Sequence, residues 1–187
     1  MKRIVLMTVA FVFALTCVTA NAGLLDIVKG GKAVTVTMKD IGQEKYAGGP
    51  YDPTKDKKYE YKKYNDAAWD PMSEGACRLS MSLEFASKVL QDPAAKKEDL
   101  EAALKAAGYA ATEAPKMVNG IANFIQGITS DPTKAIMLKD VKGVGENMKT
   151  IVEKAPKVVE GLSKRVKETA GGAAAPASGS EEKPKTE

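Results

Sequence analysis

The sequence predicts an all-α fold, a bundle of about five helices flanked by a short N-terminal strand or arm and a disordered C-terminal tail. Three observations carry that expectation. Apolar residues recur at alternating spacings of three and four from Met72 to Leu162, the period of an amphipathic helix. Asp-Pro pairs at 70–71, 92–93 and 131–132 punctuate the pattern, each offering a capping carboxylate and a residue suited to a first helical turn. Strand-like alternation is confined to residues 32–39 and to Tyr59-Glu60-Tyr61.

The chain opens with the pattern of a cleaved secretory signal over 1–22. Lys2 and Arg3 precede an uncharged run from Ile4 to Leu15, and Ala20-Asn21-Ala22 supplies the small residues of a cleavage site. The run is too short for a bilayer span, which needs ~20 apolar residues. The working protein is therefore expected to be exported, periplasmic or extracellular, and to begin at Gly23. Cys17 offers a second route, because it ends the apolar run where bacterial lipoproteins carry their acylated cysteine. Ala14 and Thr16 depart from the residues those proteins place before it. Lipidation there would make the chain an envelope-anchored lipoprotein.

Loss of the signal leaves 26 basic against 24 acidic residues, which gives no reason to expect nucleic acid as a partner. Histidine is absent, so Ser-His-Asp and Cys-His catalysis and histidine-based zinc or haem sites are excluded. Cys77 is the second of two cysteines. Without Cys17 it has no internal partner, and on an apolar helix face it reads as a small core residue. The sequence calls for no cofactor.

Residues 23–58 read as an N-terminal arm and loop. Gly23 to Gly30 form a short amphipathic segment expected to pack on the domain. Val34, Val36 and Met38 alternate with Thr35 and Thr37, a strand pattern that pairs with Tyr59-Glu60-Tyr61 if a hairpin forms. The intervening loop is rich in glycine, proline and charge. Tyr46, Tyr51, Tyr59, Tyr61, Tyr64 and Trp69 fall in or beside it, interleaved with lysines that include Lys58 and Lys62. These eight residues are the candidate binding surface, since tyrosine and lysine together can stack on bases or sugars. Neighbouring Asp52, Asp56, Glu60 and Asp66 largely cancel the charge, and half-buried tyrosines packed on helices fit the same pattern.

The helical domain is placed at 59–169. Its first helix starts at Asp70-Pro71. One seam runs Met72, Ala76, Leu79, Leu83, Ala86, Leu90, and a second ridge runs Cys77, Met81, Phe85, Val89. Apolar groups on two sides predict a helix packed between neighbours. Asp92-Pro93 opens the next helix, with Gly108 placed as its C-terminal cap. Ala114-Pro115-Lys116 and Ala155-Pro156-Lys157 each precede a similar apolar run. Residues 92–130 and 131–169 thus read as two units of ~40 residues, each a helix pair parted by proline. Residues 170–187, lacking large apolar side chains, are expected to be disordered.

Val141-Lys142-Gly143-Val144-Gly145-Glu146 resembles the glycine hairpin of helix-hairpin-helix DNA-binding modules. That resemblance implies phosphate contact through the hairpin, but Lys149 stands where the family has a small residue. The resulting expectation is an exported bacterial envelope or periplasmic protein, a non-enzymatic binding or structural module whose partner is another envelope protein or a membrane surface. The alternative is a membrane-active or lipid-binding amphipathic helical protein. A weaker alternative is an exported DNA-binding protein with a degenerate hairpin.

Overall fold

The computed structural model describes residues 30–48 and 59–171. The expected signal, Cys17, the segment 23–29, Tyr51, Lys58 and the tail beyond 171 lie outside the described residues. Within them the chain is mostly helical, with three long helices rather than five and one small sheet. The order is β1 (Lys32–Thr35), two single-turn 3-10 helices (Lys39–Ile41 and Glu44–Tyr46), β2 (Glu60–Lys63), α1 (Trp69–Gln91), α2 (Lys97–Thr129), a 3-10 connector (Pro132–Met137) and α3 (Leu138–Gly171).

The alternating residues do form an antiparallel hairpin, so the domain from 59 begins with a strand. Val34 lies opposite Tyr61 and Thr35 opposite Glu60. This register turns Val34, Val36, Tyr59 and Tyr61 towards the helices. At the entry to β1, Gly31 has φ +72°, and a Cβ there would lie 2.9 Å from the Tyr64 ring. Gly30 is also left-handed (φ +83°) but has open space around it. Gly31→Ala is expected to cost about 2–3 kcal/mol and Gly30→Ala about 1 kcal/mol, because only the first adds a clash to the backbone strain. Equal losses in chemical denaturation would contradict the close approach.

The helices run up, down and up. Gly75 sits against Met117 and Gly120 against Met72, so α1 and α2 are antiparallel. The side chain of Ile121 reaches Gly145, which brings the second half of α2 against the first half of α3. Leu90 against Gly161 and Ser80 against Asn147 make α1 and α3 parallel. The two apolar sides of α1 serve two parts of the core. Ala76, Leu79 and Leu83 pack with Ile121, Met137, Val141, Met148 and Ile151. Cys77, Met81, Phe85 and Val89 pack under the hairpin arm with Val36, Met38, Tyr46, Tyr61 and Leu100. Arg165 closes the far end, its Nη1 lying 2.7–3.0 Å from the carbonyls of Val89, Leu90 and Asp92. That charge belongs at a helix C-terminus.

The expected breaks at proline do not occur. Pro115 and Pro156 lie inside α2 and α3. A mid-helix proline removes one hydrogen bond and costs ~3 kcal/mol, but both rings face solvent while the preceding Ala114 and Ala155 are fully buried. Apolar contact therefore continues through each proline, and packing outweighs the lost bond. The recurring unit is correspondingly one long helix, not a helix pair. Buried Leu100, Ala107, Ala110, Ala114 and Ile121 of α2 correspond, at a constant offset, to buried Val141, Met148, Ile151, Ala155 and Leu162 of α3.

Other punctuation also shifts. Asp66, not Asp70, caps α1. Its carbonyl accepts from Asp70 N–H, and its Oδ1 accepts from the N–H groups of Ala68 and Trp69 at 2.9 Å, the bonding of an N-cap. Asp70 instead accepts from the Tyr64 N–H at 2.8 Å. Asp92-Pro93 forms a turn before α2, and Asp131 caps the 3-10 connector through Thr133 N–H. Gly108 is interior to α2. Gly143 and Gly145 are interior to α3, so the hairpin required by the DNA-binding resemblance is replaced by continuous helix.

Candidate functional site

A cleft of about 310 Å³ opens between β2, α1 and the first half of α3. Local structure explains its lining. Lys139, Asp140, Gly143, Val144 and Asn147 recur at helical spacing and share one face of α3. Tyr61 and Glu60 come from β2, with Tyr59 just before it, and Ala76 and Cys77 of α1 complete the wall. Gly143 keeps this side open, since a Cβ there would meet nothing within 4 Å.

Three of the polar groups are held in place. Asp140 accepts a hydrogen bond from the Tyr64 hydroxyl and lies 3.2 Å from Lys62 Nζ. Asn147 Nδ2 donates to Ser80 Oγ at 2.7 Å, and that hydroxyl donates to the Ala76 carbonyl at 3.0 Å. Tyr61 Oη donates to Glu74 Oε2 at 3.3 Å, while Arg78 holds the other carboxylate oxygen at 3.0 Å. Lys139 has no ion-pair partner among the described residues.

The thiol and phenols in and beside the cleft are held in their protonated forms. Burial, reinforced by the Glu74 carboxylate, pushes the Cys77 thiol up to about 11, so it stays protonated at neutral pH and is a poor nucleophile. Burial and the same carboxylate raise Tyr61, and burial with Asp140 raises Tyr64. Both phenols remain hydrogen-bond donors. The cleft can grip a polar molecule of modest size through an aromatic wall, an amide, a lysine and carboxylates. It assembles no activated nucleophile with an adjacent base.

The residues proposed from sequence divide. Tyr59 and Tyr61 line the cleft, and Lys62 borders it through Asp140. Tyr64 and Trp69 are buried beneath it, Trp69 stacking on Phe124 with ring centroids 5.5 Å apart and donating from Nε1 to the Lys62 carbonyl. Tyr46 lies elsewhere, buried edge-on against Phe85 at 5.3 Å, while its neighbour Lys45 reaches Asp99 of α2 at 2.6 Å. The described aromatics are thus mainly core, not an exposed stacking platform. Lys139, Asp140 and Asn147 do not stand out in the sequence because its 3,4 spacing marks only the apolar seam of this segment, from Val141 through Val144 and Met148. Continuing the 3,4 spacing back to Leu138 would have put all three on one face. Comparison with protein-family models, curated proteins and solved structures finds no match to this chain.

Proposed function

We propose that the chain is an exported, non-enzymatic binding module whose ligand occupies the cleft between β2, α1 and α3. The observation that carries this reading is the convergence of Tyr59, Tyr61, Lys139, Asp140 and Asn147 around a wall of Ala76, Cys77 and Val144. A few oriented polar groups in an otherwise apolar concavity are the usual composition of a small-molecule site. Export rests on the pattern of residues 1–22, and intact mass of protein recovered from its host distinguishes a start at Gly23 from an acylated Cys17.

Filling the cleft tests the reading without weakening the fold. Gly143→Leu places a side chain in the opening and removes a helix-interior glycine, so the variant should be about 0.5–1 kcal/mol more stable. Native mass spectrometry of host-derived protein is expected to show a small molecule retained by the parent chain and lost from the variant. A ligand retained equally by both would remove the cleft from consideration. The lipid-binding alternative draws less support. No helix among the described residues is long and apolar enough to cross a membrane, and the apolar faces of α2 and α3 are spent on each other and on α1. Flotation with neutral or anionic liposomes would revive that alternative only if the protein rises with them.

A further inference from the structure

The outer face of α2 carries a pattern that the cleft does not use. Glu101, Lys105, Tyr109, Glu113 and Lys116 follow one another at spacings of four, four, four and three, so they form one stripe along the helix. Tyr109, at its centre, is the most exposed large apolar side chain among the described residues, at 59%. Beside it Ala102 and Ala106 leave a low ledge, which joins a shallow groove of about 770 Å³ reaching Ile41 and Phe85. The charges read negative, positive, tyrosine, negative, positive. Turned end for end about Tyr109, the order becomes positive, negative, tyrosine, positive, negative. The stripe is therefore the charge complement of its own reverse.

We propose that this face is the interface between two copies of the chain, joined through antiparallel α2 helices on a two-fold axis at Tyr109. A two-fold contact places the same patch on both subunits, so it requires a self-complementary surface. In this arrangement Lys105 of each copy meets the other's Glu113, and Glu101 meets the other's Lys116. The two tyrosine rings lie at the axis, over the alanine ledge and the mouth of the groove. Lys105 has no ion-pair partner among the described residues. The pairs already present, Lys116 with Glu113 at 2.7 Å and Lys97 with Glu101 at 3.8 Å, are exposed and readily exchanged. A partner of unrelated sequence would have no reason to require this internal symmetry.

Sedimentation velocity of the full chain, over about 1 μM to 1 mM, is the test. The expected result is a monomer–dimer equilibrium that weakens as salt rises. Lys105→Glu and Glu113→Lys, each acting twice by symmetry, should weaken association at least about tenfold. Combining them restores the opposite pairing and should recover most of the dimer, while Tyr109→Ser weakens it without altering the far-UV circular dichroism. A chain that stays monomeric throughout overturns the proposal and leaves the face to a different partner. So does a dimer indifferent to the single substitutions, or a double variant no better than its parents.

Discussion

Lys88→Ala is expected to destabilise the protein by about 3–5 kcal/mol, although the residue it removes is a lysine on a helix. Lys88 Nζ lies 2.7 Å from Glu84 Oε1 one turn back on α1, and the two side chains are only 4% and 7% exposed. The same spacing on an exposed helix contributes about 0.3–0.5 kcal/mol, so burial alone decides the scale. Taking either partner away leaves the other charge in the interior without compensation. Taking both away behaves differently. Glu84→Leu with Lys88→Met exchanges two desolvated charges for apolar volume, and its stability should return to within about 1 kcal/mol of the parent or exceed it. Urea unfolding of the parent, Glu84→Leu, Lys88→Met and the double variant closes the cycle, with Lys88→Ala beside it. A single-variant loss below about 1 kcal/mol would mean that water reaches the pair.

That pair also shows what sequence could and could not disclose. Glu84 and Lys88 are visible as an i,i+4 couple, and such couples ordinarily mark a solvated face. The second ridge of apolar residues on α1 was the warning, because a helix with core on two sides has little surface left. Periodicity thus disclosed the helical class, the hairpin pairing and the placement of α1 between two parts of the core. It did not disclose helix number. Proline and glycine are local preferences of a few kcal/mol at most, and the continuous burial from Leu100 through Ala114 to Ile121 exceeds them. The aromatic cluster was ambiguous for a related reason: tyrosine suits core and surface alike, and only the hairpin register sends Tyr61 inward and Tyr64 beneath Gly31. The cleft depends on three elements far apart in the chain, so no local pattern announces it. Its α3 face is equally silent, because Gly143 and Gly145 resemble a hairpin in the sequence, whereas both are interior to the helix and Gly143 leaves the opening clear.

Asp66 connects these levels, and its replacement is the other large effect. One carboxylate oxygen caps α1, and the second lies 2.6 Å from Lys134 Nζ in the connector between α2 and α3. A single buried side chain thus fixes where α1 starts and where the α2–α3 turn rests against it. Asp66→Ala should cost about 2–4 kcal/mol, combining a lost cap with a lost charge-assisted bond; partial exposure of Lys134 keeps the figure below that of a fully buried pair. Asp66→Asn retains an oxygen for the cap and should cost less. Burial pushes the Asp66 carboxyl up, yet Lys134 and the N–H groups of Trp69 and Ala68 more than offset this and hold it below its ordinary value of 3.8. A carboxylate lowered in the folded state contributes stability that is fully present above its unfolded pKa and is lost as pH falls through the folded one. The parent should therefore lose stability below about pH 4 more steeply than Asp66→Ala, so that the gap between them narrows with acid. Thermal melts between neutral pH and pH 2.5 test both parts, with about 2–4 °C expected per kcal/mol in a chain of this size. A gap that stays constant across that range would show that the neutral acid serves as well as the carboxylate, and that the charge on Asp66 adds nothing to its contact with Lys134.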